Sequence, residues 1–365
     1  MSPTPPPGPG GPGPEFPLTT AVVTGPTGLL GTAVVAALLA RGTEVRAVVR
    51  DEQRARRILP DHPALRFVPG DVTDVPGFGK HLRGADAVFH LAAYFREYYQ
   101  PGADPALLMR TNVQAVRELL GAAAESGVPT VVHTSSTGAL APVPGRLADE
   151  STPLGDPDQP HAYRASKVRA ERVVAEFTAR HDEHGVRVPM VLPGWMWGPG
   201  DQAPTSAGRL FLAVANGRIR ALPKVGNHLV DARDVAAALI AAALRGDPDG
   251  RYIAAGHWHT LAEISGGIVA ATGTGTVPRP IPSGTALGIA ALAETAARLT
   301  GKSPVATRTG IRTLTEGHHA RFSSARAERE LGVAFRPLAE TLTDQAAFHR
   351  DRGELPDPRR LAGRR

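Results

Sequence analysis

Cysteine is absent from the 365 residues, which removes disulfide frameworks, zinc–thiolate sites and thiol nucleophiles from consideration. Any chemistry rests on other side chains. Lysine is nearly absent as well, because arginine supplies almost all of the 41 basic residues; a lysine in such a chain marks a place that needs a compact, tunable ammonium. No apolar run reaches the roughly 18 residues that span a bilayer. The nearest, Ala286 to Leu299, is alanine-rich and interrupted by Glu294 and Arg298, so it reads as a packed or surface helix and no membrane span is expected. Residues 1–17 have neither a basic leader nor an apolar stretch and read as a disordered Pro/Gly-rich tail, which points to a cytoplasmic protein. The net charge of +6 owes four charges to Arg359, Arg360, Arg364 and Arg365. With the body near neutral, no nucleic-acid partner is expected.

Hydrophobic residues make up 42% of the chain, enough for a large core with a smaller appended lobe. Short β-branched runs at Thr20 to Thr24, Glu44 to Val49, Leu65 to Val68, Ala87 to Leu91, Thr130 to Thr134 and Val186 to Leu192 alternate with helical patterns. The helical patterns run from Leu29 to Arg41, Pro105 to Ser126 and Ala162 to His181. That alternation predicts an α/β, doubly wound parallel-sheet Rossmann fold with a smaller C-terminal substrate lobe. The expected organisation is a tail at 1–17, a nucleotide-binding domain at 18–192, a substrate lobe at 193–350 in which 227–244 rejoins the core, and a polar tail at 351–365.

Immediately after the first run comes Thr24-Gly25-Pro26-Thr27-Gly28-Leu29-Leu30-Gly31, leading straight into a helix. Glycines let a backbone turn sharply and approach a pyrophosphate, whose charge then meets free N–H groups at the positive end of the helix. Gly25, Thr27, Gly28, Leu29, Leu30 and Gly31 are therefore expected to bind a dinucleotide. After the second run, where an NAD site usually places an acidic residue, Val49 is followed by Arg50, with Arg54, Arg56 and Arg57 in the next turn. A guanidinium there suits a 2′-phosphate. NADP(H) is favoured, while the adjacent Asp51 leaves NAD(H) open.

Tyr163 and Lys167 stand four residues apart in a helical pattern, which puts them on one face. A cation held close to a tyrosine favours its phenolate and brings the proton within range of transfer near neutral pH. One strand earlier, Thr134-Ser135-Ser136-Thr137 lies at the carboxyl end of the fifth run, where open α/β sheets place their ligands. A hydroxyl there can donate to a reacting oxygen.

With these residues, the chain resembles the extended short-chain dehydrogenase/reductase superfamily over roughly Leu18 to Arg350. The resemblance also rests on Gly70-Asp71-Val72-Thr73-Asp74, Val88 to Ala93, Thr111-Asn112-Val113, His133 to Ser136, and Pro193 through Gly198-Pro199-Gly200-Asp201. The run Val45 to Asp51 looks like the dihydroflavonol-reductase-like branch, whose members typically use NADPH. The resemblance makes Tyr163 the acid–base, Lys167 its tuner and the holder of the nicotinamide ribose, and Ser136 the catalytic hydroxyl. It places Asp71 and Val72 at the adenine, Leu91, Ala92 and Ala93 along the middle of the cofactor, and Pro193 and Gly194 at the nicotinamide. Asn112 is expected to make a structural hydrogen bond. Sugar-nucleotide members often carry arginine before the strand proline, where this chain has Leu192.

Aromatics are only 5% of the chain, yet Tyr94, Phe95, Tyr98 and Tyr99 cluster after the fourth run and Trp195 and Trp197 after the sixth. Tyr94, Ser136 and Trp195 are the candidate substrate contacts, and an aromatic-walled cleft suits a bulky, partly apolar molecule. The expected activity is reduction of a ketone or aldehyde, or oxidation of the alcohol. An NAD-dependent sugar-nucleotide epimerase or dehydratase is the alternative. The expected partner is a small carbonyl or alcohol substrate, with a homodimer an open assembly state.

Overall fold

A computed structural model describes residues 18–95, 104–180, 183, 185–300 and 307–355. Tyr98, Tyr99 and the tail at 1–17 lie outside these residues.

The strands β1 (Thr20–Thr24), β2 (Glu44–Val49), β3 (Leu65–Pro69), β4 (Ala87–His90), β5 (Val131–Thr134), β7 (Met190–Pro193) and β11 (Arg251–Ala254) form one sheet; β6 (Leu147–Ala148), β8 (Trp195–Trp197), β9 (Ala221–Pro223) and β10 (Gly226–Asp231) lie elsewhere. Its order is β11-β7-β5-β4-β1-β2-β3, with every pairing parallel. These strands are apolar almost throughout because helices cover both faces. On one face α1 (Leu29–Ala40) and the helix Ala232–Arg245 close over Ala21, Val23, Phe89, Val132 and Val191. On the other, α5 (Ala115–Glu125) and α6 (Ala162–Thr178) close over Val22, Val88, Val131 and Leu192. The result is a doubly wound Rossmann fold.

A smaller lobe is built on the three-stranded sheet β12-β10-β8, in which β8 is Trp195–Trp197, β10 is Gly226–Asp231 and β12 is His257–Thr260. Its core gathers Trp197, Phe211, Leu261, Ile264 and Leu342.

Three boundaries differ from the sequence reading. Of residues 227–244, the helix from Ala232 and Val230 pack on the nucleotide domain, whereas β10 as a strand pairs with β8 and β12. Arg251–Ala254, read as lobe, is the edge strand of the main sheet against β7. The segment from 351 is not all tail: Glu354 accepts a hydrogen bond from the buried His349 at 2.7 Å, and Leu355 packs on the lobe core.

Candidate active site

The carboxyl edge of the sheet carries the site, and β1 leads into it through a glycine turn. Gly25 has φ +68°, and a Cβ on it would lie 2.9 Å from the Ala92 backbone. A Cβ on Gly31 would come within 2.1 Å of the Gly25 carbonyl oxygen. The turn therefore folds tightly onto its own helix and against the end of β4. Thr24 ties the same corner together, its Oγ1 accepting from the Leu91 and Ala92 N–H groups at 3.3 Å and meeting His90 Nδ1 at 2.9 Å.

Gly28 is the N-cap of α1. It offers no capping side chain, the first turn holds no acidic residue, and only the Gly25 carbonyl lies near its would-be Cβ, at 3.7 Å. No Gly28 side chain caps the N–H groups of Leu29, Leu30 and Gly31 at the positive end of the helix, a cradle that fits a pyrophosphate. Thr27 lies in the same turn.

At the end of β2 the Arg50 side chain is 78% exposed and stands 3.8 Å from the Asp71 carboxylate. The other Asp71 oxygen accepts from the Thr73 N–H and hydroxyl at 2.9 Å, which shapes the turn holding Val72. Asp51 is engaged as the N-cap of α2 (Glu52–Ile58), accepting from Arg54 N–H at 2.9 Å. Arg56, read as an assistant to Arg50, instead pairs with Glu52 at 2.7 Å and stacks on Phe67.

Helix α6 delivers Tyr163 and Lys167. Lys167 is only 4% exposed, its Nζ donates to the Thr134 carbonyl at 2.8 Å, and it lies 5.8 Å from the centre of the Tyr163 ring. Burial pulls its pKa down to about 8, with Glu171 opposing the fall. Glu171 is four residues further on the same buried face. It accepts from the Ser135 hydroxyl and pairs with Arg251 at 3.1 Å, while burial raises its own pKa. Sequence reasoning missed this carboxylate, although its i+4 spacing from Lys167 was available.

Beneath Lys167, His90 and His133 stack at 5.7 Å on neighbouring strands. Burial, then the nearby ammonium, lowers both pKa values, that of His90 to about 3. Both rings are therefore neutral, so Lys167 is the cation of this layer.

Ser136 caps the short turn Thr137–Ala139, its Oγ accepting from Gly138 N–H at 3.1 Å. Arg164, the residue after Tyr163, reaches the carbonyl of that same Gly138 at 3.4 Å, so the turn abuts the start of α6. Thr137 donates to the Pro193 carbonyl at 3.2 Å, and Gly194 N–H bonds Ala254 at 3.1 Å. The ends of β5, β7 and β11 are thereby joined at the place assigned to the nicotinamide.

Asn112 sits in a π turn, Arg110–Gln114. It brackets the Tyr94 backbone, accepting from its N–H at 2.7 Å and donating to its carbonyl at 3.1 Å, and it donates to Ser166 at 3.0 Å. It ties the segment after β4, just beyond Leu91 to Ala93, to the helix of Tyr163. Phe95 meets the Tyr163 ring edge-on at 4.6 Å. Trp195 is part-buried with its indole N–H on Ser206 at 3.0 Å, whereas Trp197 is fully buried in the lobe core. Of the two tryptophans, Trp195 alone borders open space.

Comparison with known proteins identifies the family. The model of the NAD-dependent epimerase/dehydratase family matches residues 21–255. Sterol demethylase protein B of Methylococcus capsulatus is 33% identical, over 92% of this chain and all of that protein. A putative dihydroflavonol 4-reductase of Synechocystis is 29% identical over 91% of this chain and 94% of its own length. The crystal structure of gox2253 superposes with a TM-score of 0.77 at 30% identity, covering 93% of this chain and 100% of that one. Fold, glycine turn and family match together assign the chain to the NAD-dependent epimerase/dehydratase family, a group of NAD(P)-binding oxidoreductases within the extended short-chain dehydrogenase/reductase superfamily.

Proposed function

We propose that the protein is an NADPH-dependent reductase of a bulky, partly apolar ketone or aldehyde, able to oxidise the corresponding alcohol in reverse. The observation that carries this reading is Lys167: a buried ammonium, anchored on Thr134 and set against the Tyr163 ring, beside a serine-capped turn. When bound, the nicotinamide supplies or accepts the hydride. Tyr163 gives its proton to the substrate oxygen, and Lys167 stabilises the phenolate left behind. The Ser136 hydroxyl orients that oxygen. Leu29 to Gly31 hold the pyrophosphate by their N–H groups, with Asp71 and Val72 at the adenine.

Two observations support NADPH. Arg50 is exposed where a 2′-phosphate would lie. Asp51, the acidic residue that follows Arg50, already serves the N-terminus of α2. Phe95 beside Tyr163, with Tyr94 next to it in the chain, supports a large apolar substrate, and two relatives bear names of sterol and dihydroflavonol chemistry. The test is a panel of ketones, aldehydes and nucleotide sugars assayed for net NADPH oxidation. Steady consumption with a polycyclic or aromatic ketone is expected; a nucleotide sugar converted without net loss of cofactor would refute the reductase.

A further inference from the structure

Helix α6 begins without a side-chain cap. Its N-cap residue, His161, makes no capping hydrogen bond, and no acidic residue stands in the first turn. Tyr163 is in that turn. The lobe reaches this end of the helix, where the helix Arg308–His319 brings Glu316 to the start of α6. One Glu316 oxygen accepts from Arg164 Nη1 at 2.9 Å, and the other lies 3.4 Å from His161 Nε2. A single carboxylate therefore meets His161 and Arg164, which bracket Tyr163, in a place where the helix dipole also favours negative charge. Through Gly138, Arg164 extends the link to the turn capped by Ser136.

The two residues after Glu316 fasten the same helical turn to the lobe's own sheet. His318 Nδ1 accepts from Gly226 N–H at 3.0 Å, and a Cβ on Gly317 would come within 3.1 Å of the Asn227 side chain. Glu316 thus stands between the lobe sheet on one side and the first turn of α6 on the other.

We propose that Glu316 is a positioning residue that couples the placement of the substrate lobe to the placement of Tyr163. A surface ion pair contributes little to stability by itself, but a small displacement of an acid–base group costs a large factor in rate. The kinetic part of the inference rests on the reductase reading; the conformational part does not.

The test uses the full chain and four variants: Glu316→Gln, Glu316→Asp, Arg164→Gln and the Glu316→Gln/Arg164→Gln double. With the ketone that gives the fastest NADPH oxidation in the panel, Glu316→Gln should lower kcat about fivefold while KM for NADPH stays unchanged. Glu316→Asp should recover part of the loss. The double variant should be no worse than Arg164→Gln, because the pair acts as a unit. Additive losses, or a lowered melting temperature with kcat intact, would overturn the coupling. Amide exchange supplies an arm that needs no substrate: Glu316→Gln should hasten exchange from Ala165, the first amide bonded into the helix at His161, through Lys167. Unchanged protection there overturns the proposal. If no carbonyl compound is turned over by the wild type, the reductase reading falls and the exchange result alone decides the role of Glu316.

Discussion

Replacing Lys167 by methionine should remove activity and stabilise the fold. The side chain is 4% exposed, so its positive charge has been taken almost wholly out of water. Its pKa falls from 10.5 to about 8, and at 1.36 kcal/mol per unit that difference corresponds to about 3 kcal/mol. For a lysine the lowered value means that the unfolded chain binds the proton more tightly than the folded one. The cost is therefore present in full below about pH 8 and is relieved as pH rises from there towards 10.5.

Methionine matches the length of the aliphatic stem and carries no charge. It forfeits the bond to the Thr134 carbonyl, which takes back about 1 kcal/mol. Urea unfolding at pH 7 should thus show Lys167→Met more stable than wild type by about 2 kcal/mol. The gap should close as the wild type gains stability between pH 8 and 10. Comparing the two proteins cancels the titration of distant groups, leaving His90, His133 and Glu171, which share the layer with Lys167. A variant less stable than wild type at pH 7, or a gap that ignores pH, would refute the account of Lys167 as a destabilised functional charge.

Tyr163→Phe should keep the fold and NADPH affinity yet lose at least about a hundredfold in turnover; near-normal kcat in steady-state assays would overturn the acid–base assignment. Ser136→Ala should chiefly lower kcat, measured in the same assays, while fluorescence titration shows unchanged cofactor binding. Arg50→Asp should reverse or erase the preference for NADPH over NADH, and equal affinity for both in the wild type would sink that reading. Gly31→Ala should abolish cofactor binding and destabilise the protein by about 1–3 kcal/mol in thermal unfolding, since its methyl would meet the Gly25 carbonyl at 2.1 Å.

Much of the nucleotide-binding half was legible in the linear chain. Thr20–Thr24 and Glu44–Val49 have the bounds read from composition, because parallel strands covered on both faces are short, apolar and β-branched. The glycine turn was readable because it is local: strand, turn and helix are contiguous in the chain. The juxtaposition of Tyr163 and Lys167 was readable for the same reason, a four-residue spacing on one helix.

Tertiary structure decided what depends on distant partners. Arg251–Ala254 carries no sign in sequence that it will lie beside β7, and only that pairing brings Arg251 to Glu171. Trp195 and Trp197 look alike in the chain, yet the packing of the lobe buries one and leaves the other at its border. Glu316 reaches Arg164 across 152 positions, a closeness that no local pattern encodes. The lowered pKa of Lys167 belongs to this second class: the sequence determined that an ammonium stands one helical turn from a tyrosine, whereas the layer of strands and neutral histidines around it decided how far that ammonium is stripped of water.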